Sequence, residues 1–355
     1  MPWEKLDYKK SEINWAGDTL REPESSVQDK DRALEILDNW RAAHSYPMHV
    51  FYIRLRNVAK KLDKESLVAQ RLKRVPAIIA KLNRSYNGHA PTMELYQMQD
   101  IGGCRAILSN VGLARRLCEE YYLKGDLKHK RAGFKDYINN PKNDGYRSLH
   151  VIYKYNSDKQ KKKGYNGLLV EVQIRSRLEH LWATAVETAG FFTREAIKSN
   201  EGSPEWNEFF RLVSSAFAKI EDCPIVPQTP DNERELYAKI KQLERSLGVI
   251  SKMQGWASAM RVFSQETKKI AKARFFLLEL DIKGEKLNIY SYTKDQEQKA
   301  LEEYATLEKR YSGNKEYDVV LASVGAAHDL EKAYPNYYAN TDQFIKYLNS
   351  ILHKY

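Results

Sequence analysis

Lys135-Asp136-Tyr137-Ile138 opens the stretch that decides the fold, which continues as Pro141-Lys142-Asn143-Asp144-Gly145-Tyr146-Arg147-Ser148-Leu149-His150 and closes on Glu171-Val172-Gln173-Ile174-Arg175. The first part places cations, a glycine and an aromatic residue in a loop that leads directly into a strand. The last part predicts a central strand. Because side chains alternate along a strand, its carboxylate, amide and guanidinium project from one face. A polar face is costly to bury without partners, so we expect it to line a nucleotide-handling cleft.

The composition is that of a globular protein with anionic partners. The 355 residues are 42% hydrophobic and 30% charged, and the formal net charge is +11. This charge favours nucleotides, nucleic acid or a membrane surface, although an inert basic surface is also compatible with it. The three cysteines have no paired spacing, which fits a reducing compartment. With no signal core and no apolar run long enough to span a bilayer, the sequence predicts a soluble cytoplasmic protein without membrane contact.

Two segments upstream of the opening stretch carry related chemistry. Arg71 and Lys73 lie two residues apart, so they point the same way in an extended segment, and Pro76 suits the first turn of a following helix. Cations ahead of a helix favour anion binding, although most such pairs are solvated surface. Asp100 stands before two glycines and a buried strand at 106–108. Its carboxylate is placed either to hold Mg²⁺ bound to phosphates or to cap a turn.

A basic cluster precedes the opening stretch and a second basic run interrupts it. The cluster consists of Lys128, Lys130, Arg131 and Lys135, whereas the run Lys161-Lys162-Lys163-Gly164 is read as a solvated hairpin turn.

The remaining chain divides at a proline-rich linker, Cys223-Pro224-Ile225-Val226-Pro227-Gln228-Thr229-Pro230. Residues 1–26 are read as an arm that packs on the body. Hydrophobic periodicity predicts helices at 28–40, 50–62, 113–122, 178–194 and 206–220 before the linker, with a break at 44–47. The last of these helices is predicted to carry an apolar core stripe of Trp206, Phe209, Phe210, Val213 and Phe217. After the linker, we predict helices at 233–247, 253–271, 294–311 and 341–352, a hairpin at 274–292 and a strand at 317–324. The sequence Tyr334-Pro335-Asn336-Tyr337-Tyr338 is either a packed rim or a recognition surface.

At these residues the chain resembles the RelA/SpoT nucleotidyltransferase family, the pyrophosphokinases that make guanosine alarmones. The resemblance covers about residues 45–220. Four ordered blocks carry it: Arg71-x-Lys73 with Lys81, Asp100-Ile-Gly-Gly-Cys-Arg105, the block 135–150, and Glu171-Val-Gln-Ile-Arg175 with His180-x-Trp182. Four blocks in order are far more specific than one. The resemblance implies an α+β fold, in which a mixed β-sheet nucleotidyltransferase core is flanked by helices and followed by a small C-terminal α+β regulatory module.

The resemblance also implies roles on the side of the ATP donor. Arg71 and Arg105 would hold the adenine between their planar guanidinium groups. The phosphates would be neutralised by three lysines: Lys73, Lys81 and Lys142. Asp100 would ligate Mg²⁺, and Glu171 would either bind the metal too or act as base on the attacking 3′-hydroxyl.

On the acceptor side, Tyr146 would stack on the base. The acceptor and the transferred group would be positioned by His150, Gln173 and Arg175. Lys128, Lys130 and Arg131 would add phosphate contacts for either a nucleotide or an RNA. The reaction implied is transfer of the β,γ-pyrophosphate of ATP to a ribose hydroxyl.

Two positions depart from the family pattern. The usual Asn before the Gly-Tyr pair is Asp144, and Ser176 replaces a frequent Thr. Long family members also begin with a metal-dependent hydrolase domain that carries a His-Asp pair. Too few residues precede Arg71 to form one, so we expect a synthetase that cannot reverse its own product.

Residues 39–47 and the C-terminal module resemble the toxic small alarmone synthetases, in particular the fused toxin–antitoxin type called CapRel. That type modifies the CCA adenosine of tRNA and is inhibited by its own tail, through a Tyr-x-x-Tyr motif, until a phage protein such as the major capsid protein binds. Tyr334 and Tyr337 match the motif by spacing. The implied domains are 1–228 (pyrophosphokinase toxin), 229–273 (helical connector) and 274–355 (antitoxin-like module), in a monomer.

The sequence leaves three functions open. The first is an autoinhibited tRNA pyrophosphokinase in anti-phage defence, and the second is a GTP or GDP pyrophosphokinase that makes guanosine tetra- or pentaphosphate. Both use the same motifs. The third is a non-catalytic protein that binds nucleotide or RNA, against which the intact Asp100, Tyr146 and Glu171 argue.

Overall fold

The computed structural model describes residues 3–85, 91–192, 204–266, 273–281, 286–311, 314, 316–323 and 337–354. These residues form α-helices, short 3-10 turns and the strands of two separate β-sheets. The helices are α1 (Lys10–Arg21), α2 (Val27–Ala43), α3 (Ser45–Leu62), α4 (Val75–Leu82), α5 (Val111–Cys118), α6 (Arg177–Phe192), α7 (Pro204–Ile220), α8 (Glu233–Leu247), α9 (Val249–Glu266), α10 (Glu297–Arg310) and α11 (Tyr337–Leu352). The strands are β1 (Leu67–Leu72), β2 (Gly102–Leu108), β3 (Lys130–Asp136), β4 (Leu149–Lys154), β5 (Leu169–Ser176), β6 (Phe275–Asp281), β7 (Lys286–Tyr292) and β8 (Tyr317–Ser323).

The chain forms two compact units. The first contains residues 1–138 and 147–177, and the second contains residues 139–146 and 178–355. The C-terminal helices and strands therefore share a unit with α6 and α7.

The first unit is built on a five-stranded mixed sheet with the order β1-β2-β5-β4-β3. β2 and β5 run parallel, and the other neighbouring pairs are antiparallel. The prediction of a central strand at 171–175 is confirmed, because β5 lies between β2 and β4. Together with the flanking helices, this sheet confirms the predicted α+β class.

The two faces of this sheet differ in chemistry. Cys104, Val172 and Val151 occupy one row of the back face and are all buried. α3 and α5 pack on that face, and the Cys104 thiol donates to the carbonyl of Met48 on α3 at 3.2 Å. Gly102 is required at the start of β2, since an added Cβ would lie only 3.3 Å from the Cβ atoms of both His44 and Met48. The polar residues project from the opposite, front face.

Several predictions about the first unit need correction. α3 begins at Ser45, so the predicted break at 44–47 shrinks to His44 and leaves Pro47 in the first turn of a helix. No element was predicted for the basic cluster, most of which lies on β3, and this strand also includes Lys135 and Asp136 from the stretch predicted as a loop. The supposed hairpin turn at 161–164 is part of a 3-10 helix, Gln160–Tyr165, whose Tyr165 is buried. The N-terminal arm does pack on the body, through α1, which the sequence analysis did not predict.

The second unit has a core that draws on distant parts of the chain. α6, α7, α8 and α9 contribute buried side chains, and the predicted stripe on α7 (Trp206, Phe209, Phe210, Val213, Phe217) is confirmed. Strand β6 adds Phe276 and Leu278 to this core, while its intervening Leu277 packs with α10 in a second cluster. β6 pairs with β7 and β8 in an antiparallel sheet.

Helix α11 is an integral part of that core. Phe344 and Leu348 are fully buried, and the ring of Phe344 lies 5.9 Å from that of Phe217 on α7. In the same region, the amide of Asn340 lies 3.2 Å from Nε2 of His180 on α6. The last helix of the chain therefore stabilises the helices that directly follow β5.

We expect Leu348→Ala to lower the free energy of unfolding of the second unit by about 2–5 kcal/mol, because it removes buried methyl groups and leaves a cavity. Urea unfolding followed by tryptophan fluorescence measures this, since Trp206 and Trp256 lie in the same core. Lys346→Ala on the exposed side of α11 is the matched control and should change stability by no more than about 0.5 kcal/mol. Equal stability of the two variants would contradict a core role for α11.

Candidate active site

The front face of the first sheet brings five of the predicted site residues into two adjacent rows. One row runs Arg71, Gly103, Glu171, Ile152 and Gly133 across β1, β2, β5, β4 and β3. The next row runs Ala69, Arg105, Gln173, His150 and Lys135 across the same strands. Side chains in cross-strand register project from the same face, so four strands contribute functional groups to one surface.

A continuous chain of hydrogen bonds joins these side chains. The Arg105 Nε–H donates to Oε1 of Gln173 at 3.1 Å, and Nε2 of Gln173 donates to Oε2 of Glu171 at 2.7 Å. On the other side, Nδ1 of His150 lies 2.8 Å from Oε1 of Glu171. Both carboxylate oxygens of Glu171 are thus held, which fixes the orientation of a group predicted to act as base or metal ligand.

Glu171 is ionised despite its burial. Burial raises its pKa most strongly, and the charge of Asp100 adds to that rise. The hydrogen bond and charge of His150, with the Gln173 amide, outweigh these effects and leave the pKa below its usual value of 4.5. The side chain is therefore a carboxylate at neutral pH and able to accept a proton or a cation.

Asp100 forms the second centre of the site, directly ahead of β2. Its Oδ2 accepts from Nζ of Lys73 and its Oδ1 from Nζ of Lys81, both at 2.9 Å. Burial would raise the pKa of Asp100, but the two ammonium groups lower it to about 2. Lys73 follows β1 and Lys81 lies on α4, so three separate segments converge here. The two predicted phosphate-binding lysines thus share one carboxylate.

The donor set of the site fits Mg²⁺. Asp100 and Glu171 are both ionised and close enough for their charges to interact. Carboxylate oxygens are the ligands Mg²⁺ prefers, and it commonly takes only one or two from the protein and completes its shell with substrate phosphates and water. The described residues contain no cluster of three or more His, Cys, Asp or Glu side chains that could hold a metal ion.

The remaining predicted site residues of the first unit differ in exposure and in their distance from Glu171 along the sheet. Arg71 is exposed at the end of β1 and lies diagonally from Arg105 on the front face. Arg175 continues the polar face of β5 but is only 1% exposed. Arg131 donates to the carbonyl of Leu123 at 3.1 Å, and Lys130 is exposed beside it at the start of edge strand β3. Lys128 stands just ahead of that strand.

The loop that carries Lys142 and Tyr146 belongs to the second unit. Gly145 has φ +93°, and an added Cβ would lie 2.9 Å from Trp182 and 3.0 Å from Ser214. The Ser214 hydroxyl donates to the carbonyl of Gly145 at 2.7 Å, so this loop is seated on α6 and α7. Nζ of Lys142 lies 5.0 Å from the centroid of the Tyr146 ring.

The structure explains how Asp144 can replace the Asn that is usual at this position. Its Oδ1 accepts the backbone N–H of Tyr146 at 2.8 Å, which closes the turn. The amide oxygen of an Asn could make the same hydrogen bond, so the departure from the family pattern leaves the turn intact.

Sequence reasoning missed two supports of the site. The Arg41 Nε–H donates to the backbone carbonyl of Lys73 at 2.7 Å, and the edge of the Tyr137 ring meets the His150 ring at 5.3 Å. Neither role has a motif, because each depends on which elements become neighbours after folding.

Of the predicted autoinhibitory pair, Tyr334 lies outside the described residues, and Tyr337 is the first residue of α11. No described helix is long and apolar enough to cross a membrane.

Comparisons with known proteins show which part of the chain is similar to a known family. Residues 70–192 match the family model described as a region found in RelA / SpoT proteins. The GTP pyrophosphokinase YjbM of Bacillus subtilis (strain 168) is 33% identical over 117 residues, which make up 33% of this chain and 52% of that protein. The chain thus spans about half the length of the curated relative that it matches.

Solved structures are similar to about half of this chain. Small alarmone synthetase 1 from Bacillus subtilis, bound to its product pppGpp, has 23% identity and a TM-score of 0.41 over 50% of this chain and 88% of that chain. A GTP pyrophosphokinase family protein from Streptococcus pneumoniae has 21% identity and a TM-score of 0.40 over 56% and 91%. Residues 70–192 are therefore similar to the region found in RelA / SpoT proteins, and part of the chain is similar to a GTP pyrophosphokinase.

Proposed function

We propose that the protein is an ATP-dependent pyrophosphokinase that transfers the β,γ-pyrophosphate of ATP to the 3′-hydroxyl at the CCA end of tRNA and so blocks translation. The observation that supports it best is the held carboxylate of Glu171, bonded to His150 and Gln173 and close to the ion-paired Asp100. This arrangement combines a base with a cation site at one polar surface, as phosphoryl-transfer chemistry requires. The 33% identity to a GTP pyrophosphokinase supports the same reaction class.

ATP would bind on the side of β1 and β2. Diagonal neighbours on adjacent strands are about 7–8 Å apart, which is about the spacing needed for a planar base between two guanidinium groups. Arg71 and Arg105 have that diagonal relation. Lys73 and Lys81 would turn from Asp100 to the phosphates, joined by Lys142. Mg²⁺ held by Asp100 would supply charge neutralisation at the phosphates of ATP, which leaves Glu171 to act as base.

The chemical step is an in-line displacement at the β-phosphorus of ATP. The 3′-oxygen of the acceptor forms a bond to that phosphorus, the bond to the bridging α,β-oxygen breaks, and AMP leaves. Glu171 takes the proton of the 3′-hydroxyl, and His150 and Gln173 keep its two oxygens in place during the transfer. Tyr146 would stack on the acceptor base, while Arg175, Lys128, Lys130 and Arg131 would contribute positive charge toward the acceptor.

A second acceptor remains a serious candidate. The curated relative is a GTP pyrophosphokinase, and the same residues would serve a guanosine nucleotide, which makes alarmone synthesis the alternative function. A non-catalytic role is less favoured, because the ionised Glu171 and its two hydrogen-bond partners have no evident use in binding alone.

Regulation forms the second part of the proposal. We infer that the C-terminal module, residues 274–355 behind a connector at 229–273, inhibits the enzyme through Tyr334 and Tyr337. A phage structural protein such as the major capsid protein would release it, in a cytoplasmic defence system. The inference rests on the spacing of the two tyrosines within a module that follows the linker.

We expect Glu171→Gln to lower pyrophosphate transfer by about 10²–10⁴-fold, because the neutral amide cannot accept the proton. The assay supplies γ-labelled ATP with deacylated tRNA or with GDP and follows the label in each. Glu35→Gln, on the exposed side of α2, is the control and should retain full activity. Label that enters only the nucleotide would refute the tRNA acceptor, and full activity of Glu171→Gln would refute its role as base.

His150→Gln should move the acid limb of the pH–rate profile to higher pH. The wild-type pKa of Glu171 lies below 4.5, so activity that needs its carboxylate persists down to that range. Without the hydrogen bond and charge of His150, burial dominates and the pKa of Glu171 rises, so protonation starts at higher pH. The control His353→Gln, at the exposed C-terminal end, should leave the limb in place. An unshifted limb in His150→Gln would show that His150 does not tune Glu171.

We expect Tyr334→Ala and Tyr337→Ala each to raise both transfer activity and growth inhibition relative to the intact chain. Point changes are preferable to deletion after Pro230, because deletion would strip Phe344 and Leu348 from the core that they share with α6 and α7. Tyr347→Ala, on the same helix and 36% exposed, is the control. Autoinhibition through this motif is excluded if both variants remain as inactive as the intact folded protein.

A further inference from the structure

An aromatic and cationic surface of the first unit has no role in the site described above. We call it the aromatic strip, and it consists of Trp3, Tyr46, His49 and Tyr52 with the cations Lys162 and Arg56. The Trp3 ring lies 5.8 Å from Tyr46 and 5.3 Å from His49, and His49 lies 6.0 Å from Tyr52. Nζ of Lys162 stands 3.8 Å above the Tyr46 ring, and the Arg56 guanidinium 5.8 Å from the Tyr52 ring.

The strip is held in place although its outermost ring is exposed. The Tyr165 hydroxyl donates to the backbone carbonyl of Trp3 at 3.1 Å. Asn39 on α2 fixes the next residues of the arm, since its amide donates to the carbonyl of Lys5 and its Oδ1 accepts the N–H of Asp7. The Trp3 side chain nevertheless remains 42% exposed. These contacts position the tryptophan without burying it, which is how a surface that stacks on a ligand is built.

The strip lies along α3, on the back face of the first sheet, and reaches the edge at which β2 and β5 begin and the front face carries Asp100 and Glu171. An RNA bound to the strip would pass around this edge to reach Glu171. The Tyr46 ring contacts Tyr155 and Tyr165, which belong to the connection from the end of β4 to the start of β5. Glu171 is the third residue of β5, and Asp100 stands just before the parallel strand β2. On the other side, Nδ1 of His49 lies 3.4 Å from the amide of Gln70, the neighbour of Arg71 on β1.

Positive charge surrounds the rings on the side of the basic cluster. Lys161 and Lys163 flank Lys162 in the 3-10 helix and are exposed. Lys128 directly precedes His129, whose ring lies 4.9 Å from that of Tyr155 and stacks on it. The candidate acceptor lysine ahead of β3 and the lysines after β4 therefore belong to one basic region with aromatic rings inside it.

We propose that the aromatic strip binds RNA, with Trp3 stacking on an unpaired base and Lys162 contacting the phosphate backbone, so that the 3′ end of the same RNA reaches Glu171. The proposal rests on the proposed RNA acceptor and extends it to residues outside the family motifs. Stacking on aromatic side chains combined with nearby lysines and arginines is the general chemistry of single-stranded RNA recognition. An acceptor as small as GDP would be too short to need a second surface.

The test is equilibrium binding of fluorescein-labelled deacylated tRNA to the full-length protein, by anisotropy, without ATP. Trp3→Ala should weaken binding about tenfold, because one stacked base is lost. Lys162→Ala should weaken it and reduce the slope of log Kd against log salt by about one unit, because one phosphate contact is lost. If the wild-type protein transfers label to GDP, both variants should do so at the wild-type rate.

A second exposed pair of the same kind supplies matched controls. Trp15 on α1 is 37% exposed and lies 5.5 Å from the guanidinium of Arg32, outside the strip. Trp15→Ala and Arg32→Ala should bind tRNA like the wild type. Wild-type affinity and salt slope in both Trp3→Ala and Lys162→Ala would overturn the proposal, as would equal loss in the control variants.

The outcomes separate this proposal from the proposed function. If tRNA binds through the strip but label enters only GDP, the RNA acceptor is wrong and the RNA-binding surface stands. If tRNA is modified while the strip variants bind it as tightly as the wild type, the acceptor stands and the strip is refuted. Lys162→Ala keeps the test decisive even if loss of Trp3 loosens the N-terminal arm, since Lys162 lies on a different segment.

Discussion

The parallel pairing of β2 with β5 is the constraint on which the site depends. Parallel strands start at the same edge of a sheet, so the residue ahead of β2 and the first residues of β5 become neighbours although about 70 residues separate them in the chain. Asp100 and Glu171 approach each other for this reason. Antiparallel neighbours on both sides then bring the ends of β1 and β4 to that edge, with Lys73 and the connection that holds Tyr165. A one-residue slip of β5 would turn Glu171 and Gln173 into the apolar back face.

Electrostatics explain how so many charged groups tolerate one another before any substrate is present. Asp100 is paired with two ammonium groups, and Glu171 is paired with an imidazole and an amide. Each carboxylate is thus compensated by hydrogen-bond donors from the protein, which avoids the large penalty of leaving a buried carboxylate without a partner. The two lysines that compensate Asp100 are the same cations to which the proposed function assigns the phosphates of ATP.

The sequence predicted the elements that local chemistry determines and failed where tertiary contacts decide. The alternation of Glu171, Gln173 and Arg175 predicted β5 and its polar face, and the apolar spacing on α7 predicted its buried stripe. By contrast, β3 was not predicted, because lysines and arginines on an edge strand show no hydrophobic alternation. α1 was missed because its buried face is formed by small residues such as Ala16 and Gly17. The pairing of Asp100 with both lysines and the support from Arg41 depend on distant neighbours that no local pattern encodes.

The place of α11 in the core has a consequence for synthesis on the ribosome. Chains fold as they emerge, from the N-terminus onward, and the five-stranded sheet is complete once residue 176 has left the exit tunnel. The helices that seat the loop of Lys142 and Tyr146 lack the packing of Phe344, Leu348 and Ile351 until α11 has also been made. This loop therefore gains its full support about 200 residues after its own synthesis. The order of translation thus separates completion of the first sheet from completion of the core beneath the loop.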